Sequence, residues 1–341
     1  MTDVTQIELR APYLVFIGDT DVPSFAKTGF GIVQWRRQQV AGQLRFAGNS
    51  LDLGVPDMDI QQAVAAGVKS ILIGVAPIGG SVGPRWISVL AEAAAAGLDV
   101  VNGLHLRLED FPEIVAAAQA SGAALVNVRV PPPGLPIGSG NKRSGRRLLM
   151  VGTDCAVGKK YSALALAAAM SGAGINASFR ATGQTGIMIA GNGMPIDAVV
   201  ADFIAGAAEV LTPDNDPQHW DVIEGQGSLF SPAYAGVSLG LLHGSQPDAI
   251  VVCHAADRRN IIGSPQARIP TIAECIDLNL RCGRITSADI QCVGVCVNTT
   301  GLAASEREPY LAALSTELGL PCVDPMTDGC EPIVAHIRRC F

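Results

Sequence analysis

Short apolar runs alternate with alanine- and leucine-rich segments along the whole chain. In the first part of the chain, apolar runs with the length of buried strands lie at residues 13–17, 70–76, 99–102 and 124–130. Segments with helical character lie between them, at residues 60–66, 84–96 and 111–120. Strands and helices that alternate in this way predict a parallel, doubly wound sheet.

The same alternation resumes in the second part of the chain. Further strand-like runs lie at residues 147–151, 175–179, 221–223, 249–253 and 290–297. Between the two series, residues 131–145 are dense in proline, glycine and polar residues, which is typical of a linker. We therefore predict an α/β fold with two doubly wound, mainly parallel sheets. The predicted domains are residues 1–132 and 146–341, joined by a linker at residues 133–145.

The composition agrees with this division and narrows the possible partners. A chain of 341 residues exceeds one ordinary core, and 48% apolar but only 5% aromatic residues suit helices that pack closely on sheets. Charged residues make up only 16% of the chain, which indicates that a second copy covers part of the surface, so we predict a homo-oligomer. The net charge of −7, with no basic stripe to offset it, argues against a nucleic-acid partner.

The sequence gives no indication of a membrane or of an oxidising compartment. It shows no signal-peptide pattern, and no apolar run approaches the ~20 residues of a membrane span. All nine cysteines lie from Cys155 onward, which is typical here of reduced, buried thiols. Cys292 and Cys296 share a strand face but lack a second ligand pair, so we predict no metal site. We expect a cytoplasmic protein.

The clearest chemistry lies in the segment Gly152–Lys160, which follows an apolar run and precedes a helix-like stretch. A strand, a glycine loop and a helix start form a phosphate cradle, because successive N–H groups and the positive helix end point at one anion. Five residues rather than four separate the glycines, a spacing that resembles the loop of dethiobiotin-synthetase-like P-loop proteins. The residues that we predict to bind the phosphates of a cofactor are Gly152, Thr153, Asp154, Cys155, Ala156, Val157, Gly158, Lys159, Lys160 and Tyr161.

Lys160 distinguishes this loop from the usual one. It stands where a serine or threonine hydroxyl normally holds Mg²⁺. A loop that keeps its lysine but loses that hydroxyl is better suited to holding phosphates than to cleaving them. Ser162 or Asp154 could supply an oxygen to a metal instead, so this alternative stays open.

Ligands of open α/β sheets bind beyond the carboxyl ends of the strands, which singles out a few polar residues. Glu224 ends a strand and enters a glycine-rich run, where a carboxylate can accept a proton or coordinate a cation. Gln184 and Gln226 flank the same crevice; they either donate hydrogen bonds to a carbonyl or satisfy the backbone of tight loops. Arg180 is a candidate carboxylate partner, with Arg258 as an alternative or as part of a solvated pair.

Weaker candidates complete this set. His243 and His254 lie near strand or loop ends, where a lone histidine is more often structural than functional. The glycine-rich loop 74–83, with Arg85 near the following helix start, is a weak dinucleotide signal that a structural turn explains equally well. We interpret residues 27–31 as an ordinary loop.

Several of these motifs together resemble one bacterial protein family. The matching segments are 152–160, 180–186, 196–203, 223–229 and 242–246, with looser matches at 75–80 and 102–105. On these segments the chain resembles the DgcN family, D-glutamate N-acetyltransferases that were long classed only as a domain of unknown function. The resemblance covers nearly the whole chain. It implies a Rossmann-like first domain and a P-loop NTPase-like second domain.

The resemblance further implies that the acetyl group of acetyl-CoA is transferred to the amino group of D-glutamate, with no metal. Coenzyme A carries a pyrophosphate and a 3′-phosphate, so a phosphate loop can hold it without hydrolysis. Acyl transfer also needs a base for the amine and donors for the oxyanion. For the base we expect Glu224, with His243 as second choice, and for the oxyanion donors Gln184, Gln226 or loop N–H groups.

We expect the substrate to be held by charged residues of the same domain. Arg180 would bind the carboxylates of D-glutamate and Asp202 its ammonium group, with Arg258 as a further substrate contact.

Two other functions stay open. One is an ATP-dependent kinase or ligase similar to dethiobiotin synthetase, whose mechanism needs Mg²⁺. The other is a non-catalytic nucleotide or CoA sensor.

Overall fold

The computed structural model describes residues 7–75 and 82–341 and divides into two compact units. The first unit contains the described residues up to Pro132 together with Gly183–Ala198. The second contains Pro133–Thr182 and Val199–Phe341. The segment Gly183–Ala198, which the sequence-based division places in the second domain, therefore packs with the first unit.

The first unit is a layered α/β structure. Its strands are β1 (Ile7–Glu8), β2 (Tyr13–Gly18), β3 (Val40–Arg45), β4 (Ser70–Ile73), β5 (Asp99–Asn102), β6 (Leu125–Asn127) and β9 (Asn192–Gly193). Its helices are α1 (Lys27–Arg36), α2 (Ile60–Ala65), α3 (Pro84–Ala95), α4 (Pro112–Ser121) and α6 (Gln184–Ala190). A parallel sheet has the order β3-β2-β4-β5-β6, and β1 pairs antiparallel with β9.

One prediction for this unit is wrong: residues 27–31 are not a loop but the first half of α1. Gly29 and Gly31 are buried, and the Gly29 amide donates to the Gly74 carbonyl at 2.7 Å. The helix thus lies directly on the end of β4. Because glycines make this contact, the apolar periodicity that would reveal a helix is missing from the sequence.

The glycine-rich loop 74–83 lies mostly outside the described residues, as does the matching segment 75–80. Helix α3 begins directly after this loop, at Pro84. The guanidinium of Arg85, in the first turn of α3, stacks 3.8 Å from the centre of the Phe46 ring. Arg85 therefore has an aromatic partner within its own unit.

The second unit carries the larger sheet. Its strands are β7 (Arg146–Gly152), β8 (Ala177–Arg180), β10 (Trp220–Ile223), β11 (Ala249–Ala255), β12 (Asn260–Ile261), β13 (Ser264–Arg268), β14 (Gln291–Asn298) and β15 (Cys322–Val323). Its helices are α5 (Lys159–Gly172), α7 (Ile204–Leu211), α8 (Ala235–Ser245), α9 (Ile272–Gly283), α10 (Ala304–Leu318) and α11 (Glu331–Cys340). A parallel sheet has the order β15-β14-β11-β7-β10-β8, and β12 and β13 form a hairpin.

The central strands of this sheet are apolar because helices cover both faces. Every residue of β11 is buried, as are Arg147–Gly152 of β7. Met170 of α5 and Ile333 and Ile337 of α11 belong to the same core as these strands. Strands buried on both faces show continuous rather than alternating hydrophobicity, as the sequence does here. The predicted fold class, α/β with mainly parallel sheets, is confirmed.

The parallel arrangement collects several loops at one place. The carboxyl ends of β7, β8, β10 and β11 meet at the same edge of the sheet, which positions the candidate site.

Within residues 7–75 and 82–341, the helices lack the combination of length and apolar character that a membrane span requires.

Candidate active site

The phosphate loop has the predicted form, a strand that passes through a glycine turn into a helix. β7 ends at Gly152, and α5 begins at Lys159 directly after Gly158, whose φ of +104° favours glycine. α5 is 14 residues long, so its free N–H groups and its dipole favour an anion at this end. The Lys159 ammonium donates to the Asp154 carbonyl at 2.8 Å and is buried, which lowers the pKa of this lysine. The lysine therefore bonds back to a carbonyl of its own loop.

The residues near the usual magnesium position are engaged elsewhere. The Lys160 ammonium lies 4.4 Å from the centre of the Tyr161 ring, a cation–π contact. The Ser162 hydroxyl is buried in the first turn of α5. Asp154 is fully buried and ion-paired with Arg258. Of the two oxygen donors that the sequence offered as alternatives, Asp154 therefore has a protein partner and Ser162 is shielded from solvent.

Arg258 clamps the outer side of the phosphate loop. Its Nη1 lies 3.1 Å from the Asp154 carboxylate and donates to the Cys155 carbonyl, and its Nη2 donates to the Ala156 carbonyl at 3.4 Å. The same carboxylate accepts the Ile262 amide at 2.8 Å, which ties the β12–β13 hairpin to the loop. Ala156 has a φ of +51°, a conformation that costs about 1–3 kcal/mol outside glycine. Arg258 therefore binds the Cys155 and Ala156 carbonyls while Ala156 keeps this unusual conformation.

We expect Arg258→Gln to loosen the loop. The variant leaves the buried Asp154 carboxylate without its cation, so we expect a loss of about 1.5–3 kcal/mol in the free energy of unfolding, typical of a hydrogen bond to a charged group. Chemical denaturation followed by circular dichroism measures this. The matched control is Arg281→Gln, which breaks an exposed pair with Asp277 on α9 and should change stability by at most about 0.5 kcal/mol. Equal stability of the two variants would contradict the clamp.

A second group of polar residues lies on the other side of β7 and centres on Thr182. The Thr182 amide donates to the Glu224 carboxylate at 2.9 Å, and its hydroxyl donates to the Glu224 carbonyl at 2.7 Å. The Gln226 side-chain amide donates to the same hydroxyl at 2.9 Å. Glu224 is only 5% exposed and Thr182 is fully buried. The ends of β8 and β10 thus hold Glu224 and Gln226 together.

Gly225 lets this cluster approach the phosphate loop. A Cβ at this position would stand 1.6 Å from the Met150 carbonyl oxygen and 3.0 Å from the Lys159 side chain. Only glycine allows the backbone after Glu224 to lie so close to β7. The backbone next to Glu224 therefore packs against both β7 and Lys159.

Comparison with known proteins identifies the family. Residues 136–334 match the P-loop domain of a domain of unknown function, DUF1611, and residues 44–131 match the N-terminal Rossmann-like domain of the same family. The chain belongs to the DUF1611 family. A crystal structure of a DUF1611 family protein from Anabaena variabilis is similar over 97% of this chain and 100% of that one, with a TM-score of 0.83 and 30% identity.

Two curated relatives resemble this chain more closely in sequence. A protein of Tritonibacter scottomollicae is 46% identical over 326 residues, 96% of this chain and 98% of the relative. A protein of Pseudoalteromonas sp is 44% identical over 331 residues, 97% of this chain and 100% of the relative. Both are named D-glutamate N-acetyltransferase. The family predicted from the motifs is confirmed.

Three other predicted residues of this DUF1611 protein are Arg180, Asp202 and Gln184. The Arg180 guanidinium donates from Nε to the buried Asp221 carboxylate at 2.7 Å. Asp202 is exposed in a short turn before α7. Gln184 begins α6, in the segment that packs with the first unit, so its role stays a prediction.

His243 is not brought to the carboxyl edge of the sheet. It lies in the last turn of α8, which leads into the amino end of β11, whereas Glu224 follows the carboxyl end of β10. Its Nε2 is 3.1 Å from the Cys282 carbonyl of α9. His243 thus joins two helices at the opposite edge. Thr182, in contrast, holds the centre of the polar cluster, and its place two residues after β8 is the signal in the sequence that points to it.

Proposed function

We propose that this chain transfers the acetyl group of acetyl-CoA to the amino group of D-glutamate. The names of the two relatives support the reaction and the acceptor. The observation that carries the proposal is that Gly225, directly after Glu224, packs closely against Met150 and Lys159, while Lys160 takes the place of the magnesium-binding hydroxyl. Such a site combines a proton acceptor with a place for a phosphorylated carrier.

Coenzyme A is the donor that suits the loop. Its pyrophosphate or its 3′-phosphate would accept hydrogen bonds from the N–H groups between Gly152 and Lys159, at the positive end of α5. The Lys159 ammonium would exchange its bond to the Asp154 carbonyl for a phosphate oxygen. No P–O bond changes in this reaction. The phosphates serve only to position the thioester.

Acetyl transfer requires the ammonium of the acceptor to lose two protons. In our proposal the Glu224 carboxylate removes the first proton and releases it to solvent, and the neutral amine nitrogen attacks the thioester carbonyl. As the carbon–sulfur bond breaks, the nitrogen loses its second proton and the CoA thiolate takes up one proton, so the products are N-acetyl-D-glutamate, coenzyme A and one proton in solution. Gln226 and loop N–H groups would donate to the oxyanion.

The substrate contacts are proposed on charge. Asp202 is exposed and would pair with the ammonium of D-glutamate in the binding step. Arg180 would contact a carboxylate; its bond to Asp221 uses Nε, and a guanidinium has five donors. Arg258 is assigned to the loop rather than to the substrate, because three bonds hold it there. We also propose that the protein is cytoplasmic and homo-oligomeric.

A mass-spectrometric assay tests the function. We expect acetyl-CoA to yield an acetylated product with D-glutamate and far less with L-glutamate. Lys159→Ala should weaken coenzyme A binding by about 10-fold or more in calorimetry, since one charge-assisted phosphate bond is lost. Arg281→Gln on the exposed side of α9 is the control and should bind normally. Release of ADP from ATP and Mg²⁺ on adding D-glutamate, with no acetylated product, would overturn the proposal in favour of a kinase or ligase.

A further inference from the structure

His254 lies next to the phosphate loop on the side away from Glu224. It is the sixth residue of β11, and β11 pairs with β7, so its position is at the carboxyl edge of the sheet. Its Nδ1 lies 3.0 Å from the Thr153 hydroxyl, and Thr153 is the second residue of the phosphate loop. The imidazole is 8% exposed. His254 has no role in the acetyl transfer proposed for Glu224 and the phosphate loop.

The hydrogen bonds around Thr153 decide which ring nitrogen carries the proton. The hydroxyl has one proton and two acceptors within reach, His254 Nδ1 at 3.0 Å and the Cys253 carbonyl at 3.5 Å. That carbonyl already accepts the Thr153 amide at 3.1 Å. The shorter contact is much the better hydrogen bond, so the hydroxyl donates to Nδ1. Nε2 therefore carries the ring proton.

The surroundings also keep the imidazole neutral. Burial and the neighbouring Arg258 lower the pKa of His254 below its ordinary value of 6.5, and Asp257 opposes this only in part. Asp154, the nearest acidic residue of the loop itself, is paired with Arg258. With Nδ1 occupied by the hydroxyl, the ring has no lone pair to offer to a substrate. It has one N–H to donate.

We infer that His254 is a neutral hydrogen-bond donor that presents its Nε2–H to a negatively charged oxygen at the phosphate loop. The inference rests on the proposed function for the identity of that oxygen. In the acetyl donor it is either a phosphate oxygen or the thioester oxygen that becomes negative during transfer. Both need the same donor, and neither needs a base at this position.

The tautomer is measured on the ligand-free protein and needs no turnover. In nitrogen-15 NMR of histidine-labelled protein, we expect the His254 signals of the Nε2–H form, with protonation only below pH 6.5. Thr153→Val removes the hydroxyl at nearly constant shape, so the preference for Nε2–H should weaken. An Nδ1–H form, or protonation at the pH of an exposed histidine, overturns the inference. His336→Gln on α11 assigns one competing signal.

Two substitutions separate the possible oxygens. If the oxygen is a phosphate, His254→Ala weakens binding of coenzyme A and of adenosine 3′,5′-bisphosphate by about 10-fold, and kcat stays normal. If it is the oxyanion, kcat falls by about 10²–10³-fold, the loss seen when an oxyanion donor is removed, and coenzyme A affinity stays normal. His254→Gln keeps an N–H donor, so it should recover much of either loss.

The outcomes also distinguish this inference from the proposed function. Normal affinity and normal kcat in His254→Ala overturn the inference alone. A wild-type protein that makes no acetylated product overturns the proposed function, while the NMR and coenzyme A measurements still decide the role of His254. If His254→Ala does not fold, the test uses His254→Gln instead. Because a hydrogen-bond donor that stays neutral does not titrate, the pH–rate profile of this variant must match that of the wild type. A fall in rate on the acidic side of the wild-type profile that disappears in this variant would mean that His254 is a base.

Discussion

Glu224→Gln should lower kcat for acetyl transfer by about 10²–10⁴-fold, the contribution that a positioned general base makes. Glutamine has the shape of glutamate and keeps an oxygen that can accept the Thr182 amide, so the local structure should persist. The variant loses the ability to take a proton from the ammonium of the acceptor. Steady-state kinetics with acetyl-CoA and D-glutamate measures the loss.

Two controls accompany this variant: its affinity for coenzyme A, and the kcat of a variant that lacks a different carboxylate. Coenzyme A affinity should stay within a few-fold of the wild type, because in our proposal Glu224 acts on the acceptor and not on the phosphates. Glu317→Gln removes an exposed carboxylate from α10 and should leave kcat unchanged. A Glu224→Gln enzyme that works within a few-fold of the wild-type rate would exclude this carboxylate as the base.

Gly225→Ala should destabilise the second unit by more than about 3 kcal/mol, beyond the usual cost of an overpacked core position. The new methyl would overlap the Met150 carbonyl oxygen at 1.6 Å, and the obstacle is backbone rather than a movable side chain. The backbone after Glu224 would have to move away from β7. Denaturant unfolding gives the free energy of unfolding, and soluble yield gives an earlier indication.

A second glycine provides the matched comparison for this variant. Gly236, in the first turn of α8, has open space where its Cβ would stand. Gly236→Ala should therefore be neutral or stabilise the protein by up to about 1 kcal/mol, as alanine does in helices. If Gly225→Ala were as stable as Gly236→Ala, the close approach of the Glu224 loop to β7 would be refuted.

Much of the fold could be predicted because its signals are local. The run before Gly152 is continuously apolar, as a strand covered on both faces must be, and Gly158 stands where the backbone requires a left-handed residue. The helix α1 shows the limit. Its contact with the end of β4 is made by Gly29. Because glycine has no side chain, this contact adds nothing to the apolar periodicity from which a helix is predicted.

The position of the site could be predicted from the sequence, but the ion pairs of its arginines could not. The rule that ligands bind at the carboxyl ends of strands finds Glu224, which directly follows β10, but it does not single out Thr182, which lies two residues beyond β8. It cannot show that Arg258 is paired with Asp154 or Arg180 with Asp221, because these pairs join residues about a hundred or forty positions apart in the chain. Long-range pairing decides whether an arginine is available to a substrate, and it depends on the tertiary structure.

The placement of Gly183–Ala198 has a practical consequence for cutting this protein into parts. Ile187, Met188 and Ile189 of α6 are fully buried within the first unit. A fragment that starts after the proline-rich segment would carry these side chains without the surface that shelters them, and would be expected to aggregate. A fragment that stops before it would leave the complementary surface bare. Biochemical dissection should therefore use the full-length polypeptide with point substitutions rather than truncated halves.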